Sequence, residues 1–127
     1  IGKEYKVLCL FENKKSDKRK YDLTKGAIDS GEGVFSTATR ETYEEAGIRN
    51  LKFRWGRCFL KSGGITMFLA ETPDTPEIVA NPKSGIIEHD GFEWNQFETA
   101  YVLMPKYLKP FILWANKIIN GELDVKI

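Results

Sequence analysis

A chain of 127 residues, 42% hydrophobic and 29% charged, has the length and composition of one globular domain with a single core, so residues 1–127 are read as one domain. Its net charge of +1 excludes a global attraction to nucleic acid or to an anionic membrane, and local charge must carry any such preference. No apolar run approaches the roughly 20 residues that cross a bilayer, no signal peptide opens the chain, and Cys9 and Cys58 sit in apolar segments, as free thiols of a cytoplasmic protein do.

In chain order, "EYKVLCLF" (4–11) is a β-rich run, followed by the polar loop "ENKKSDKRK" and a short extended piece, "YDL". Residues 34–46 lack Gly and Pro, and Gly47 then supplies a stop, which predicts a helix of about three to four turns. "LKFRWGRCFL" (51–60) and "ITMFLAET" (65–72), separated by "KSGG", predict a β-hairpin. A loop covers 73–90, with a short extended piece at "EIVA", and "GFEW" is a short strand. "NQFETAYVLM" and "PKYLKPFILWANKIIN" are helical, with Pro105 in the first turn of the second and Pro110 as a kink inside it. Strands, helix, strands, helix is the order of a mixed sheet covered by helices.

One feature of this pattern carries chemistry. Glu41, Glu44 and Glu45 fall within five residues of the predicted helix, at about −60° and +40° from Glu41 for the second and third. Like charges at these spacings repel, and a hard divalent cation reverses the sign of that interaction. Taken alone, E-x-x-E-E is more often a solvated acidic face than a metal site.

The longer spacing changes that balance. Gly26, five residues, Glu32, seven residues, then Arg40-Glu41, Glu44-Glu45 and Gly47-Ile48 resemble the Nudix box, G-x5-E-x7-R-E-U-x-E-E-x-G-U, with U a bulky aliphatic residue. Thr42 is the one departure, standing where Leu, Ile or Val is usual, with consequences expected for helix packing and not for chemistry. The resemblance implies an α/β (α+β) fold, the Nudix α/β/α sandwich with a mixed β-sheet and a loop-helix-loop catalytic motif. It also implies hydrolysis of a nucleoside diphosphate linked to another moiety, with Mg²⁺ or Mn²⁺ as cofactor. By position, Glu41, Glu44 and Glu45 are the implied metal ligands, with the carbonyl of Gly26 nearby. Glu44 or Glu45 is the implied proton acceptor, and Glu32 and Arg40 are the implied structural brace.

Substrate choice lies outside the box. "TKG" places Lys25 where related branches have "PKG", next to the phosphate site or simply in a solvated loop. "IIEHDGFEW" (86–94) resembles a region of asymmetric diadenosine tetraphosphate hydrolases. That match makes Glu88 a candidate further ligand or general base, His89 a candidate phosphate contact, and Trp94 a core residue under the sheet. Lys106 and Tyr107 are candidate substrate contacts, against the alternative of a helix's wet face, and Phe53, Trp55 and Tyr107 can each stack a base. Five basic residues between 13 and 20 read first as a solvated hairpin loop, and otherwise can draw in a polyanion or an RNA 5′ end.

The expected substrate is a dinucleoside polyphosphate. The alternatives are RNA 5′-pyrophosphohydrolase activity, a diphosphoinositol polyphosphate, or a non-catalytic nucleotide- or RNA-binding module. No membrane partner is expected, and the state is a monomer or homodimer. Only Ile1-Gly2-Lys3 precede the first strand, where the family usually has another. Either the chain is truncated or a compact variant leaves a sheet edge open for a partner.

Overall fold

The computed structural model describes residues 5–13, 19–26, 31–78, 85 and 89–122. Three strands form an antiparallel sheet in the order β2-β1-β5, from Arg19–Asp22, Val7–Asn13 and Gly91–Asn95. Phe59–Ser62 (β3) and Ile65–Phe68 (β4) form a separate hairpin. The helices are Val34–Ala46 (α1), Phe97–Leu103 (α2) and Lys109–Ile119 (α3), with a 3₁₀ turn at Lys106–Leu108. Among the described residues no helix is long and apolar enough to cross a membrane.

Strand β1 explains the layering. Successive side chains of a strand point to opposite faces, and here both faces are apolar. Cys9 packs with Ala100, Met104, Leu108, Phe111 and Ile112, from α2 to α3. Leu10, one residue on, packs with Ala46 and Ile48 at the end of α1. Cys9 and Leu10 are both wholly buried, so the sheet lies between α1 and the C-terminal helices, the expected α/β/α sandwich. The strand pairings among the described residues are antiparallel throughout, which refines the mixed sheet of the sequence expectation. The short link from β1 to β2 permits no other orientation, because parallel neighbours need a crossover of a dozen residues or more.

The hairpin turns on Gly63 and Gly64, at φ 57° and 80°, the doubly left-handed geometry that favours glycine in two-residue hairpin loops. Its ladder is shorter than the sequence predicts. Beyond β3 and β4 only the bridge between Lys52 and Glu71 continues the pairing. A turn intervenes, with the Gly56 N–H donating to the Phe53 carbonyl at 3.0 Å and Gly56 at φ 77°.

Two other expectations are corrected. Pro110 does not kink a helix, because it sits in the first turn of α3, where a missing N–H costs no helical hydrogen bond. Pro105 instead caps the 3₁₀ turn that precedes it. Trp94 is not core: it pairs across the sheet with Leu8, remains 38% exposed and lines a cleft described below. The alternation that places half-buried Leu8 and buried Leu10 on one face carries Trp94 to the same face, near its open end.

Because Leu10 has no exposed surface and joins the sheet to α1, Leu10→Ala should destabilise the protein by about 2–5 kcal/mol. Urea unfolding checks this, and a loss below about 1 kcal/mol would show that the layer collapses around the cavity.

Candidate active site

Helix α1 buries an unusual stripe. Thr37, Glu41 and Glu45 recur every fourth residue, so they share one face, and that face is buried together with Ala46. A helix that only covered a core would present aliphatic side chains there. Glu41 and Glu45 are each 8% exposed, and buried carboxylates need strong partners. The helix itself starts after Gly33 and ends at Gly47, whose φ of 68° and N–H to the Tyr43 carbonyl make a left-handed C-terminal cap.

Arg40 supplies much of the required charge. Its Nε and Nη2 donate to Glu32 Oε2 and Oε1 at 2.7 and 3.0 Å, a bidentate fork. Nη1 donates to Glu41 Oε1 at 2.5 Å and to Glu44 Oε2 at 2.9 Å. The hydrogen bonds it donates to Glu32 above all, with those to Glu41 and Glu44, hold the guanidinium pKa above its usual value. Thr37 Oγ1 also reaches Glu32 Oε1 at 2.8 Å and the Gly33 carbonyl at 2.9 Å, fixing the approach to the helix. Glu32 and Arg40 are thus ion-paired, and the same guanidinium bonds Glu41 and Glu44 directly.

Residues 24–26 run along the same side of α1. The hydroxyls of Thr24 and Thr42 are 3.0 Å apart, and Thr42 Oγ1 also donates to the Ala38 carbonyl at 2.8 Å. The Lys25 backbone N–H donates to Glu45 Oε2 at 3.1 Å. At Gly26 the approach is so close that an added Cβ would lie 2.2 Å from Glu41 Oε2. Only glycine brings a backbone this near a carboxylate.

These contacts divide the three carboxylates, with Glu41 and Glu44 turned to Arg40 and Glu45 turned to Lys25. Among the described residues no three acidic, His or Cys side chains already converge as a metal cage. The donor chemistry nevertheless suits a hard divalent cation: carboxylate oxygens from one helix, with the Gly26 backbone pressed against Glu41. A cation of this kind would share Glu41 and Glu44 with Arg40, whose fork to Glu32 keeps the guanidinium in place.

A cleft of about 1320 Å³ reaches this segment through Lys25, Gly26, Thr37 and Thr42. Phe53, Trp55 and Tyr107, the three aromatics able to stack a base, all line it, as does Trp94. Tyr107 is 49% exposed, whereas Lys106 is exposed outside the cleft lining. Lys109 instead caps α2, with Nζ bonded to the Tyr101 and Val102 carbonyls. Glu88 lies outside the described residues. His89 is buried, with its Nε2 3.3 Å from Asp22 Oδ2.

Asp22 is the residue that sequence reasoning missed. It also accepts an ion pair from Lys25 Nζ at 3.2 Å. Its only sequence signal is an acidic residue three positions before Lys25, at the end of a strand.

The chain matches the family model for the NUDIX domain over residues 2–115, so it belongs to the Nudix family and is a Nudix hydrolase. A C. elegans Ap4A hydrolase, in a binary complex, is 22% identical with a TM-score of 0.67, over 91% of this chain and 88% of that one. The MutT protein of Methanosarcina mazei Go1 is 18% identical at a TM-score of 0.54, over 89% and 84% of the two chains. The E. coli ORF135 protein is 19% identical at 0.60, over 98% and 88%. At these identities the structural likeness establishes the fold alone. No curated protein matches the chain significantly.

Arg40→Lys keeps a charge but loses the planar fork, so unfolding in urea with EDTA should show a loss of about 1–3 kcal/mol. A loss within about 0.5 kcal/mol would mean that the contacts to Glu32, Glu41 and Glu44 are replaced by water at no net cost.

Proposed function

We propose that this Nudix hydrolase cleaves a phosphoanhydride bond of a dinucleoside polyphosphate, using Mg²⁺ or Mn²⁺. The observation that carries this reading is the buried carboxylate stripe of α1 beside a cleft walled by aromatic rings. Glu41, Glu44, Glu45 and the Gly26 carbonyl would hold the cation. Bound there, it would neutralise phosphate charge and make water more acidic.

The remaining work falls to the chain itself. Arg40 keeps Glu41 and Glu44 oriented, and the Lys25 N–H does the same for Glu45. A carboxylate, Glu44 or Glu45 by position, accepts the proton of the attacking water. Glu88 is the further candidate for that step. The Lys25 ammonium offers charge to a phosphate at the cleft wall.

Recognition of the rest of the substrate falls to the cleft. Tyr5, Phe53, Trp55, Trp94, Tyr107 and Trp114 give it more aromatic surface than one base covers. That lining suits a substrate with two bases better than a diphosphoinositol polyphosphate, which has no ring face to stack. The fold likeness to the C. elegans Ap4A hydrolase supports the same choice.

Turnover with Mg²⁺ should be measured on diadenosine tetraphosphate, triphosphorylated RNA, nucleoside triphosphates and ADP-ribose. Diadenosine tetraphosphate should give the highest kcat/KM; preference for triphosphorylated RNA would move the assignment to RNA 5′ ends, and no turnover with any of them would sink it. Glu45→Gln should lower kcat by about 100-fold or more with the fold intact by circular dichroism. Near-normal activity in that variant would remove Glu45 from the site.

A further inference from the structure

Asp22 closes β2, and its carboxylate makes three contacts, two to the segment that follows it and one to the start of β5. Oδ1 accepts the Leu23 backbone N–H at 2.9 Å, which fixes the rotamer. Oδ2 accepts Lys25 Nζ at 3.2 Å and lies 3.3 Å from His89 Nε2. The Asp22 side chain is 16% exposed and that of His89 8%, so water competes little for either. His89 is itself held where β5 begins, because the next residue, Asp90, donates its N–H to the Phe11 carbonyl at 2.8 Å.

Electrostatics keeps this arrangement charged. Burial alone would raise the Asp22 pKa, but the hydrogen bonds from His89 and Lys25 and the Lys25 charge bring it below the usual carboxylate value. Burial alone would lower the Lys25 pKa, and Asp22, with smaller contributions from Tyr107 and Glu45, raises it instead. The geometry agrees, with Lys25 Nζ 3.2 Å from Asp22 Oδ2.

We propose that Asp22 is a positioning residue for the polyphosphate: it holds the Lys25 ammonium at the cleft wall. The contacts run from His89 through Asp22 and Lys25 to Glu45. They join the start of β5, the end of β2 and the catalytic helix, segments 67 and 20 residues apart in the chain. Lys25 lines the cleft and Asp22 does not, so a substrate meets the lysine while the aspartate acts through it. The proposal rests on the hydrolase reading above.

The test is a double-mutant cycle of Asp22→Asn and Lys25→Met, with Asp22→Glu as the conservative control. With diadenosine tetraphosphate, Asp22→Asn should raise KM about tenfold with kcat within about threefold, because an ammonium without its partner no longer occupies one position. Asp22→Glu should recover part of the loss. The double variant should have a KM no higher than Lys25→Met alone. An unchanged KM in Asp22→Asn, or single effects on KM that multiply in the double variant, would overturn the proposal and leave Asp22 as a brace of the fold only.

Binding of inorganic tripolyphosphate by calorimetry separates this outcome from failure of the hydrolase reading. Even in the absence of turnover, Kd should rise about tenfold in Asp22→Asn and no further in the double variant. Equal Kd values in wild type and Asp22→Asn would again overturn it. Should Asp22→Asn not fold, Asp22→Thr, which keeps an acceptor for the Leu23 N–H, enters the same cycle with the same two readouts.

Discussion

Arg40 is the charge on which the site depends. Glu32, Glu41 and Glu44 come from a loop and a helix, and without a shared cation their mutual repulsion would splay the helix start from the loop. One guanidinium satisfies all three because its donors lie in a plane at fixed angles. The fork to Glu32 takes Nε and Nη2, which leaves Nη1 for the two helix carboxylates. A lysine at the same place would carry the charge but could not divide it in this way. The constraint explains how the helix can bury Glu41, whereas buried Glu45 is met by the Lys25 N–H.

The second constraint is the close run of residues 24–26 along α1. Thr42 departs from the aliphatic residue usual in the box, and Thr24 stands where related branches have proline. These two departures meet: their hydroxyls are 3.0 Å apart. The expectation that Thr42 bears on packing holds, but it is not simply a weakening. A hydroxyl on the helix, donating to the Ala38 carbonyl, accepts from a hydroxyl on the facing segment where an aliphatic residue and a proline would have met by van der Waals contact. Next to this pair, the Lys25 N–H on Glu45 and the glycine at Gly26 keep the two pieces at backbone distance.

Much of this was legible because it is local. The box from Gly26 to Ile48 places the helix, its glycine stop and the Glu32–Arg40 brace within one stretch of chain, where spacing alone relates the residues. α1 spans the predicted 34–46 for that reason. What spacing cannot report is contact between distant segments. Asp22 and His89 are 67 residues apart, and nothing in either neighbourhood signals the other. Trp94 was misplaced because its environment is set by where the sheet face opens, which depends on what α1 and the hairpin cover. Pro110 was misread because a 3₁₀ turn ahead of α3 moved the helix start to meet it.

The division between local and distant contacts also divides the protein's tasks. Three of the carboxylates proposed for the chemistry, Glu41, Glu44 and Glu45, stand on α1, each fixed by at least one hydrogen bond from a neighbour. The rings of the cleft come from every part of the chain: Tyr5 and Trp55 meet edge to face at 5.4 Å, Phe53 packs on Phe35 at 4.9 Å, and Trp94 and Tyr107 come from the C-terminal half. The hydrogen bonds described above, from Arg40 and from the Lys25 N–H to the carboxylates, involve none of these rings. Substrate choice can therefore vary while the phosphoanhydride chemistry stays fixed, and Lys25 is where the two meet. It lines the cleft with its side chain and holds Glu45 with its backbone.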